Sequence, residues 1–410
     1  MSDLPLRSQL AVALGRTASK MSRLAGRGDG SVIGGKIGLK LDPELLTRLA
    51  SDRKLVLVSA TNGKTTTTRL IASAMSGLGE VATNAFGANM PTGHVSALAS
   101  QPDAKYGVLE CDEKYVPLVL KETGANVVLL MNLSRDQMDR AGEIWQLAGK
   151  WRKALDGADT HVVANCDDPL VTWGAQTAKR VTWVAAGQHW KEDSWCCPEC
   201  GGPLDRDHSH WACRQCHFAR PKPDWILHGN RVTAPDGNTY DLDLQLPGRA
   251  NRSNGAMSLA VVSLFGIAPQ QALPLLGRVA SVAGRYTTVQ HEGRDIRLLL
   301  AKNPAGWLEA FDVLDPAPGP VALAINAQGP DGRDTSWLWD VDYRVLKGRP
   351  VWATGERRLD LAVRLEAAEV DFKVVEDIEQ AVWEVQGGKL DVIANYTAFQ
   401  SIRTRYGRAL

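Results

Sequence analysis

The sequence predicts an α/β protein with two large domains, the first carrying a phosphate-binding turn and an inserted zinc ribbon, the second Rossmann-like. Three observations lead to this prediction. Short apolar, strand-like runs alternate with helical segments through most of the chain, which is typical of a doubly wound parallel sheet. A Gly-Lys-Thr turn follows the first of these runs, and two Cys-x-x-Cys pairs interrupt the alternation between residues 190 and 226.

The predicted domain boundaries follow these changes of pattern. A basic N-terminal segment covers residues 1–45. The first α/β domain covers 46–283 and contains the ribbon insertion at about 190–226, which we expect to have a small core of its own. From residue 284 to 410 a second α/β pattern predicts the C-terminal domain.

Composition excludes several classes of protein. At 410 residues with a net charge of +1, the chain is long enough for two or three domains, and its overall charge gives no reason to bind nucleic acid. No apolar run approaches the roughly 18 to 20 residues that span a bilayer. Basic residues, among them Arg7, Arg16 and Lys20, interrupt any signal-peptide core in the first 45 residues. This segment is compatible with contact to an anionic membrane surface, and equally with a solvated helix.

The phosphate-binding turn lies between an apolar run that begins at Lys54 and a helical segment that ends near Gly79. Backbone N–H groups at such a turn point at an anion, the lysine adds positive charge, and the threonine hydroxyl can hold Mg²⁺. Val58 replaces the first glycine of the full eight-residue pattern. The preceding strand and following helix nevertheless favour a nucleotide site. Its residues are Thr61, Asn62, Gly63, Lys64, Thr65 and Thr66.

Four cysteines have the spacing of a structural zinc site. Two Cys-x-x-Cys turns, separated by a short linker, can bring four thiolates into a closed tetrahedral site that stabilises structure and leaves no coordination position open for catalysis. The predicted ligands are Cys197, Cys200, Cys213 and Cys216. We rank the nearby histidines well below these thiols.

Polar residues follow several predicted strands of the first domain. Glu110 ends one strand, Asn132 follows the next, and Asp168 comes shortly after a third. Ligands bind outside the carboxyl ends of the strands in open α/β sheets. We therefore expect these three side chains to line one crevice with the phosphate-binding turn, although each alone could be a helix cap or turn residue.

Taken in order, these motifs resemble those of the Mur ligase family, whose members form amide bonds in peptidoglycan precursors through an acyl phosphate made with ATP. The resemblance extends from about residue 30 to the C-terminus. The motifs that carry it are Thr61–Thr66, Glu110–Glu113, Asn132–Arg140, Asn165–Pro169, Gly248-x-x-Asn251-x-x-Asn254 and Gly284-Arg285.

One branch of this family is the most similar. The segment before the phosphate-binding turn is too short for the domain that holds a UDP-linked sugar in ordinary Mur ligases. The four-cysteine insertion, the segment 301–306 and the segment 326–340 resemble the ligase subunit of lipid II isoglutaminyl synthase. That resemblance implies a cytoplasmic enzyme that amidates the D-glutamate α-carboxylate of lipid II, with ammonia from a glutaminase partner of the GatD type. Contact with the inner face of the membrane is a further expectation.

The resemblance also assigns roles to residues. It implies that Lys64 and a magnesium ion held by Thr65 and Glu110 stabilise the transferred phosphoryl group, with Glu113 as a second candidate metal ligand. It places Asn251 and Asp168 near the adenosine, and Arg285 near the nucleotide or the acyl phosphate. The expected cofactors are ATP, Mg²⁺ and a structural Zn²⁺.

Asp334 has a separate implied role. The chain contains no recognisable Cys-His glutaminase of its own, and the matching acid of the resembled subunit is thought to complete the partner's Cys-His pair, as a triad carboxylate orients a histidine. Asp331 and Asp340 are close enough in sequence to be rivals. A local turn bond is the plainer interpretation of each.

Two alternatives stay open at this point. The chain could be an amino-acid-adding ligase of the Mur or folylpolyglutamate type, which would need no glutaminase. It could also be an ATPase that reads nucleic acid with its zinc ribbon, but acidic residues offset the basic ones in the ribbon, so no strongly basic face is predicted.

Overall fold

The structure is a computed structural model that describes residues 4–24, 31–84, 87–136, 144–207, 210–280, 286–385 and 388–406. The chain divides into two compact units. Unit 1 contains Met1–Leu133, Glu143–Leu246 and Ala250–Ala280, and unit 2 contains Ser134–Gly142, Pro247–Arg249 and Ser281–Leu410. The predicted domain boundaries near residues 45 and 283 remain predictions.

Unit 1 is built on a nine-stranded sheet in the order β11-β10-β9-β6-β5-β4-β1-β3-β2, and β7-β8 form a separate two-stranded ribbon. Its strands are β1 (Lys54–Ser59), β2 (Val81–Thr83), β3 (Tyr106–Glu110), β4 (Val127–Leu130), β5 (His161–Asn165), β6 (Val181–Ala185), β7 (Leu204–Arg206), β8 (Trp211–Cys213), β9 (Trp225–His228), β10 (Arg231–Thr233) and β11 (Thr239–Asp241). The neighbouring strands β2-β3-β1-β4-β5-β6-β9 all pair in parallel. β10 and β11 extend this sheet as an antiparallel edge.

Ten helices accompany this sheet in the described part of unit 1. They are α1 (Leu6–Leu24), α2 (Ser31–Leu41), α3 (Leu45–Ala50), α4 (Lys64–Met75), α5 (Pro91–Ser100), α6 (Val116–Thr123), α7 (Ile144–Leu155), α8 (Pro169–Ala175), α9 (Arg249–Ser263) and α10 (Pro269–Leu276). The central strands are buried on both faces, because helices cover both. No helix among the described residues is long and apolar enough to cross a membrane.

Unit 2 has a six-stranded sheet in the order β12-β13-β17-β14-β15-β16, in which only the β12-β13 pair is antiparallel. Its strands are β12 (Tyr286–His291), β13 (Arg294–Leu300), β14 (Val321–Ala324), β15 (Val351–Thr354), β16 (Lys373–Val374) and β17 (Gly388–Ala394). Its helices are α11 (Pro304–Asp312), α12 (Arg358–Ala367), α13 (Ile378–Glu384) and α14 (Tyr396–Tyr406), with 3-10 helices at Ser336–Asp340 and Tyr343–Leu346. The predicted α/β fold class is confirmed.

Candidate active site and zinc centre

The phosphate-binding turn joins β1 to α4, as the sequence predicts. Gly63 has φ of +90°, and α4 begins at the next residue, Lys64, with neither a capping side chain nor an acidic residue in its first turn. A Cβ atom at Gly63 would lie 2.7 Å from Oδ1 of Asn254. The turn therefore needs glycine, and the N-terminus of α4 presents the backbone N–H groups and positive dipole end that favour a phosphate.

Asn132 holds this turn in place. Its Oδ1 accepts a hydrogen bond from the backbone N–H of Asn62 at 2.9 Å, and its Nδ2 donates to the Asn62 carbonyl at 2.9 Å. The Asn132 carbonyl accepts from the Thr61 N–H at 3.0 Å. Because β4 pairs in parallel with β1, the residue after β4 lies beside the turn after β1. Asn132 thus positions the turn backbone.

Lys64 is almost fully buried at the start of α4. Its Nζ lies 3.0 Å from a carboxylate oxygen of Glu113, and it donates hydrogen bonds to the carbonyls of Ala60 and, at 3.4 Å, Thr61. The cation is therefore held beside the phosphate-binding backbone. Glu113 pairs with this lysine.

Thr65 and Glu110 form an oxygen pair suited to magnesium. The Thr65 hydroxyl donates to Oε2 of Glu110 at 2.7 Å, and Glu110 is 1% exposed. Two neighbouring ligands of an octahedral Mg²⁺ ion, each about 2.1 Å from the metal, lie about 3 Å apart. Hydroxyl and carboxylate oxygens are the hard ligands that this ion prefers, so these residues fit it, and they would hold it next to the phosphates.

Two residues that the sequence analysis missed hold Glu110 in position. Asn84 accepts from the Glu110 N–H at 2.8 Å and donates to the Glu110 carbonyl at 2.8 Å and the Ala88 carbonyl at 2.9 Å. His94 lies 2.8 Å from the same Glu110 carbonyl through Nε2, and burial lowers the pKa of His94. A neutral imidazole that donates from Nε2 fits this contact. Asn84 directly follows β2, as Asn132 follows β4, but β2 has only three residues, too few for the sequence to show a strand there.

Asp168 lies deep in unit 1, where it caps α8. One oxygen accepts from the N–H groups of Leu170 and Val171 at 2.9 and 3.2 Å, and the other accepts from Leu133 N–H at 3.0 Å. Burial raises the pKa of Asp168 to about 6. The carboxylate is 1% exposed and joins the end of β4 to the start of α8. Asp168 therefore positions the backbone at these two points, and the contact with adenosine expected from the sequence remains a prediction.

Asn251 lies in the first turn of α9 and is half-buried. Its Oδ1 accepts a 3.3 Å hydrogen bond from Nδ2 of Asn254, the residue that closely approaches Gly63. Asn251 is thus linked to the phosphate-binding turn through one neighbour, and its role toward the nucleotide remains a prediction. Arg285 lies outside the described residues.

The four cysteines form a cluster in which every pair of Sγ atoms lies within 4.8 Å. The sulfur atoms of Cys197 and Cys216 are 3.7 Å apart, and those of Cys200 and Cys213 are 3.5 Å apart. A zinc ion with four bonds of about 2.3 Å places its sulfur ligands about 3.8 Å apart. The cluster fits a structural Zn²⁺ site.

Backbone geometry supports the same assignment. The N–H of Gly202 donates to the Cys200 sulfur at 3.4 Å, and that of Gln215 donates to the Cys213 sulfur at 3.3 Å. Both bonds would stabilise thiolates, the form that binds zinc. Gly201, with φ of +78°, permits the tight turn of the first pair.

The ribbon does not have a separate core, contrary to expectation. Its buried residues Leu204, Trp211 and Phe218 belong to the same apolar cluster as α7 and α8. The Trp211 indole N–H donates to the Cys166 carbonyl, and Trp145 of α7 donates to Pro198 of the ribbon, both at 3.0 Å. Tryptophan is useful here because it can bury a large ring and still satisfy a backbone acceptor.

Asp334 lies in unit 2 on the segment between β14 and the 3-10 helix Ser336–Asp340 and is exposed. Its Oδ1 accepts the Ser336 N–H at 2.8 Å. Hydrogen bonds from Ser336 hold the pKa of Asp334 below its usual range. The carboxylate is therefore ionised at neutral pH and accessible from solvent.

The two rivals of Asp334 are used within unit 2. Asp331 accepts from the backbone N–H of Thr397 at 2.8 Å and from that of Gln328 at 3.2 Å, which ties its loop to α14. Asp340 forms an ion pair with Arg135 at 3.3 Å. Among these three acids, Asp334 alone makes only local hydrogen bonds in the described part of the chain.

Comparison with known proteins agrees with this geometry. The Mur ligase middle domain family model matches residues 58–262, and the MurT ligase C-terminal model matches residues 300–399. A pseudomurein peptide ligase type C from Methanothermus fervidus has a similar structure, with a TM-score of 0.68 and 17% identity, over 89% of this chain and 80% of that one. Fold and site together define an ATP-dependent ligase of the Mur class.

Closer relatives identify the branch. The lipid II isoglutaminyl synthase (glutamine-hydrolyzing) subunit MurT of Staphylococcus aureus strain COL is 30% identical over 98% of this chain and 99% of its own length. The subunit of the same name from Streptococcus pneumoniae strain R6 is 29% identical over 97% and 96% of the two chains. The chain belongs to the MurT family, and membership excludes the interpretation as a nucleic-acid-binding ATPase.

Proposed function

We propose that this protein amidates the D-glutamate α-carboxylate of lipid II to D-isoglutamine, using ATP and ammonia supplied by a glutaminase partner. The observation that carries the proposal is the nearly full-length similarity to MurT subunits. Each of those relatives is named as a subunit of a glutamine-hydrolyzing synthase. The retained phosphate-binding turn and the Thr65–Glu110 pair supply the ATP chemistry that such a reaction needs.

In the first half of the reaction, a carboxylate oxygen of the substrate attacks the γ-phosphorus of ATP, and ADP leaves. The N-terminus of α4 binds the phosphates, and Lys64 moves from the Ala60 and Thr61 carbonyls toward the charge that develops on the transferred group. Thr65 and Glu110 would hold a magnesium ion, which would supply positive charge to neutralise the transferred group. The product is an acyl phosphate and ADP.

In the second half, the nitrogen of ammonia attacks the acyl carbon, the carbon–oxygen bond to phosphate breaks, and the amide loses a proton. Ammonia comes from glutamine hydrolysed by a partner of the GatD type. We assign Asp334 to this partner: its exposed, ionised carboxylate is available to orient the histidine of a Cys-His pair on another chain. The four-cysteine cluster binds a structural zinc with no part in either step.

The same reaction places the protein in the cytoplasm, where ATP is available, at the inner face of the membrane that carries the lipid-linked substrate. The alternative of an amino-acid-adding ligase predicts a different product. The product of that ligase would be heavier than the substrate by a whole amino-acid residue, whereas amidation exchanges a hydroxyl for an amino group and slightly lowers the mass.

The test is mass spectrometry of lipid II incubated with the protein and Mg-ATP, with ammonium in one reaction and glutamine plus a glutaminase subunit in another. We expect conversion of one carboxyl group to a carboxamide, which fragmentation locates on D-glutamate. Lys64→Ala should abolish the product with both nitrogen sources. ATP consumption without amide, or addition of an amino acid, contradicts the proposal.

The role of Asp334 has its own comparison. Asp334→Asn should impair the glutamine reaction and leave the ammonium reaction close to wild type. Asp340→Asn is the matched control, because it removes a neighbouring exposed acid that pairs with Arg135 and should leave both reactions unchanged. If Asp334→Asn lowered both reactions equally in a folded protein, this assignment would be wrong.

A further inference from the structure

In the first helix, α1, most of the large apolar side chains lie on the exposed face. The buried residues of α1 are Ser8, Ala11, Val12 and Gly15. Gly15 packs so closely on α2 that a Cβ atom there would lie 2.7 Å from the Gly34 carbonyl oxygen. The exposed face of α1 carries the large apolar residues. These are Leu6, Leu10, Leu14, Met21 and Leu24, exposed by 84, 58, 44, 65 and 88%.

These five side chains form one stripe. With about 100° of rotation per residue in an α-helix, they fall within an arc of about 80°. On α2, Val32, Ile33 and Leu41 are also exposed. Eight large apolar side chains are thus exposed within two helices of unit 1, and no described residue covers them. A soluble surface rarely carries a stripe of five such side chains, like that of α1, without an interaction.

All charged residues of the same two helices are basic. Basic residues Arg7, Arg16, Lys20 and Arg23 lie in α1, Lys36 and Lys40 lie in α2, and neither helix contains an aspartate or glutamate. The whole chain has a net charge of only +1. Arg16 is half-buried and donates to the Ala99 carbonyl at 3.0 Å. The exposed basic residues of the two helices that also carry the exposed apolar side chains are Arg7, Lys20, Lys36 and Lys40.

We propose that α1 and α2 dock this protein on an anionic phospholipid surface, with the apolar stripe of α1 inserted at the level of the headgroups. An anionic bilayer is the partner whose chemistry matches both features, since its surface attracts lysine and arginine and its acyl boundary accepts leucine and methionine. The proposed surface is defined only by the exposed apolar and basic residues of α1 and α2. Its purpose rests on the proposed function, because a lipid-linked substrate is reached from the membrane.

The direct test is sedimentation of the full-length chain with vesicles, either of phosphatidylcholine alone or with added phosphatidylglycerol. We expect binding to the anionic vesicles that weakens with salt. The double variant Leu10→Glu/Leu14→Glu should weaken it by about tenfold or more. Lys20→Gln and Lys36→Gln should each weaken it by about fivefold. Leu359→Glu, at a leucine of α12 that is 67% exposed, is the matched control and should bind like wild type.

The results separate this proposal from the function. A wild-type chain that does not sediment with anionic vesicles overturns it, and so does a double variant that binds vesicles normally but no longer associates with its glutaminase partner, since the stripe would then be a protein interface. With a substrate in detergent, the double variant should amidate like wild type. If the wild type does not amidate that substrate but sediments with the vesicles, the proposed function fails and the docking surface stands.

Discussion

Asn84→Ala is the perturbation that best tests how the carboxylate of Glu110, the magnesium ligand that we propose, is positioned. The side chain is 6% exposed and makes three hydrogen bonds, two of them to the backbone of Glu110. Alanine leaves the Glu110 N–H without this acceptor in a buried site, which costs about 1 to 3 kcal/mol. The Glu110 carbonyl keeps its contact with His94, so the loss of that donor costs less.

The sum of these effects is a decrease of about 2 to 4 kcal/mol in the free energy of unfolding. Glu110 would also lose the fixed backbone that directs its carboxylate toward Thr65. We therefore expect Mg-ADP to bind about tenfold more weakly, which corresponds to about 1.4 kcal/mol. Urea unfolding followed by tryptophan fluorescence measures the first quantity, and titration calorimetry measures the second.

Asn89→Ala is the control for this experiment. Asn89 also donates to Glu110, but to the carboxylate and at 3.4 Å, and it is only half-buried. Its replacement should change stability by less than about 1 kcal/mol. If Asn84→Ala unfolds like wild type, or is destabilised but binds Mg-ADP normally, then Asn84 does not position the metal ligand.

Three further predictions concern the turn, the zinc cluster and a buried acid. Gly63→Ala should lower stability by about 1 to 2 kcal/mol and weaken Mg-ADP binding, because its Cβ would meet Asn254; unchanged affinity in calorimetry would contradict the close approach. Cys213→Ser should lose zinc by elemental analysis and lower the melting temperature, whereas Cys196→Ser, outside the cluster, should retain both. Since burial raises the pKa of Asp168 to about 6, above about 3.9 in the unfolded chain, its contribution to stability is present below pH 4 and lost as pH rises through 6. Asp168→Asn should remove up to about 3 kcal/mol of this pH dependence in unfolding measurements between pH 4 and 7, and an unchanged slope would refute the assignment.

The sequence predicts most of the fold because the pattern is local. The apolar runs that become β1, β3, β4 and β5 are continuous and end in polar residues, and parallel strands place those ends on one edge. β2 has only three residues, too few to show a period. Asn84 was missed for that reason, although its spatial role resembles that of Asn132.

Contacts between distant parts of the chain could not be predicted from local pattern. The sequence leaves Asp331, Asp334 and Asp340 as rivals because their partners, Thr397 for the first and Arg135 for the last, are far away in the chain. In the same way, ribbon spacing predicts the four ligands. It does not predict that Trp211 donates to the Cys166 carbonyl, one of the contacts that join the ribbon to the larger core.

Three buried side chains, those of Asn84, Asn132 and Asp168, fix the backbone around the site. The sequence predicted only Asn132 and Asp168 there. Each of the three accepts a hydrogen bond from a backbone N–H at the carboxyl edge of the sheet: at the end of β3, in the turn after β1 and at the end of β4. Buried side chains with satisfied hydrogen bonds are rigid supports. The positions of the phosphate-binding turn and of Glu110 are therefore set by the sheet before a nucleotide arrives. In the function that we propose, Lys64 exchanges its carbonyl partners for phosphate oxygens when Mg-ATP binds, while the backbone that surrounds it stays in place.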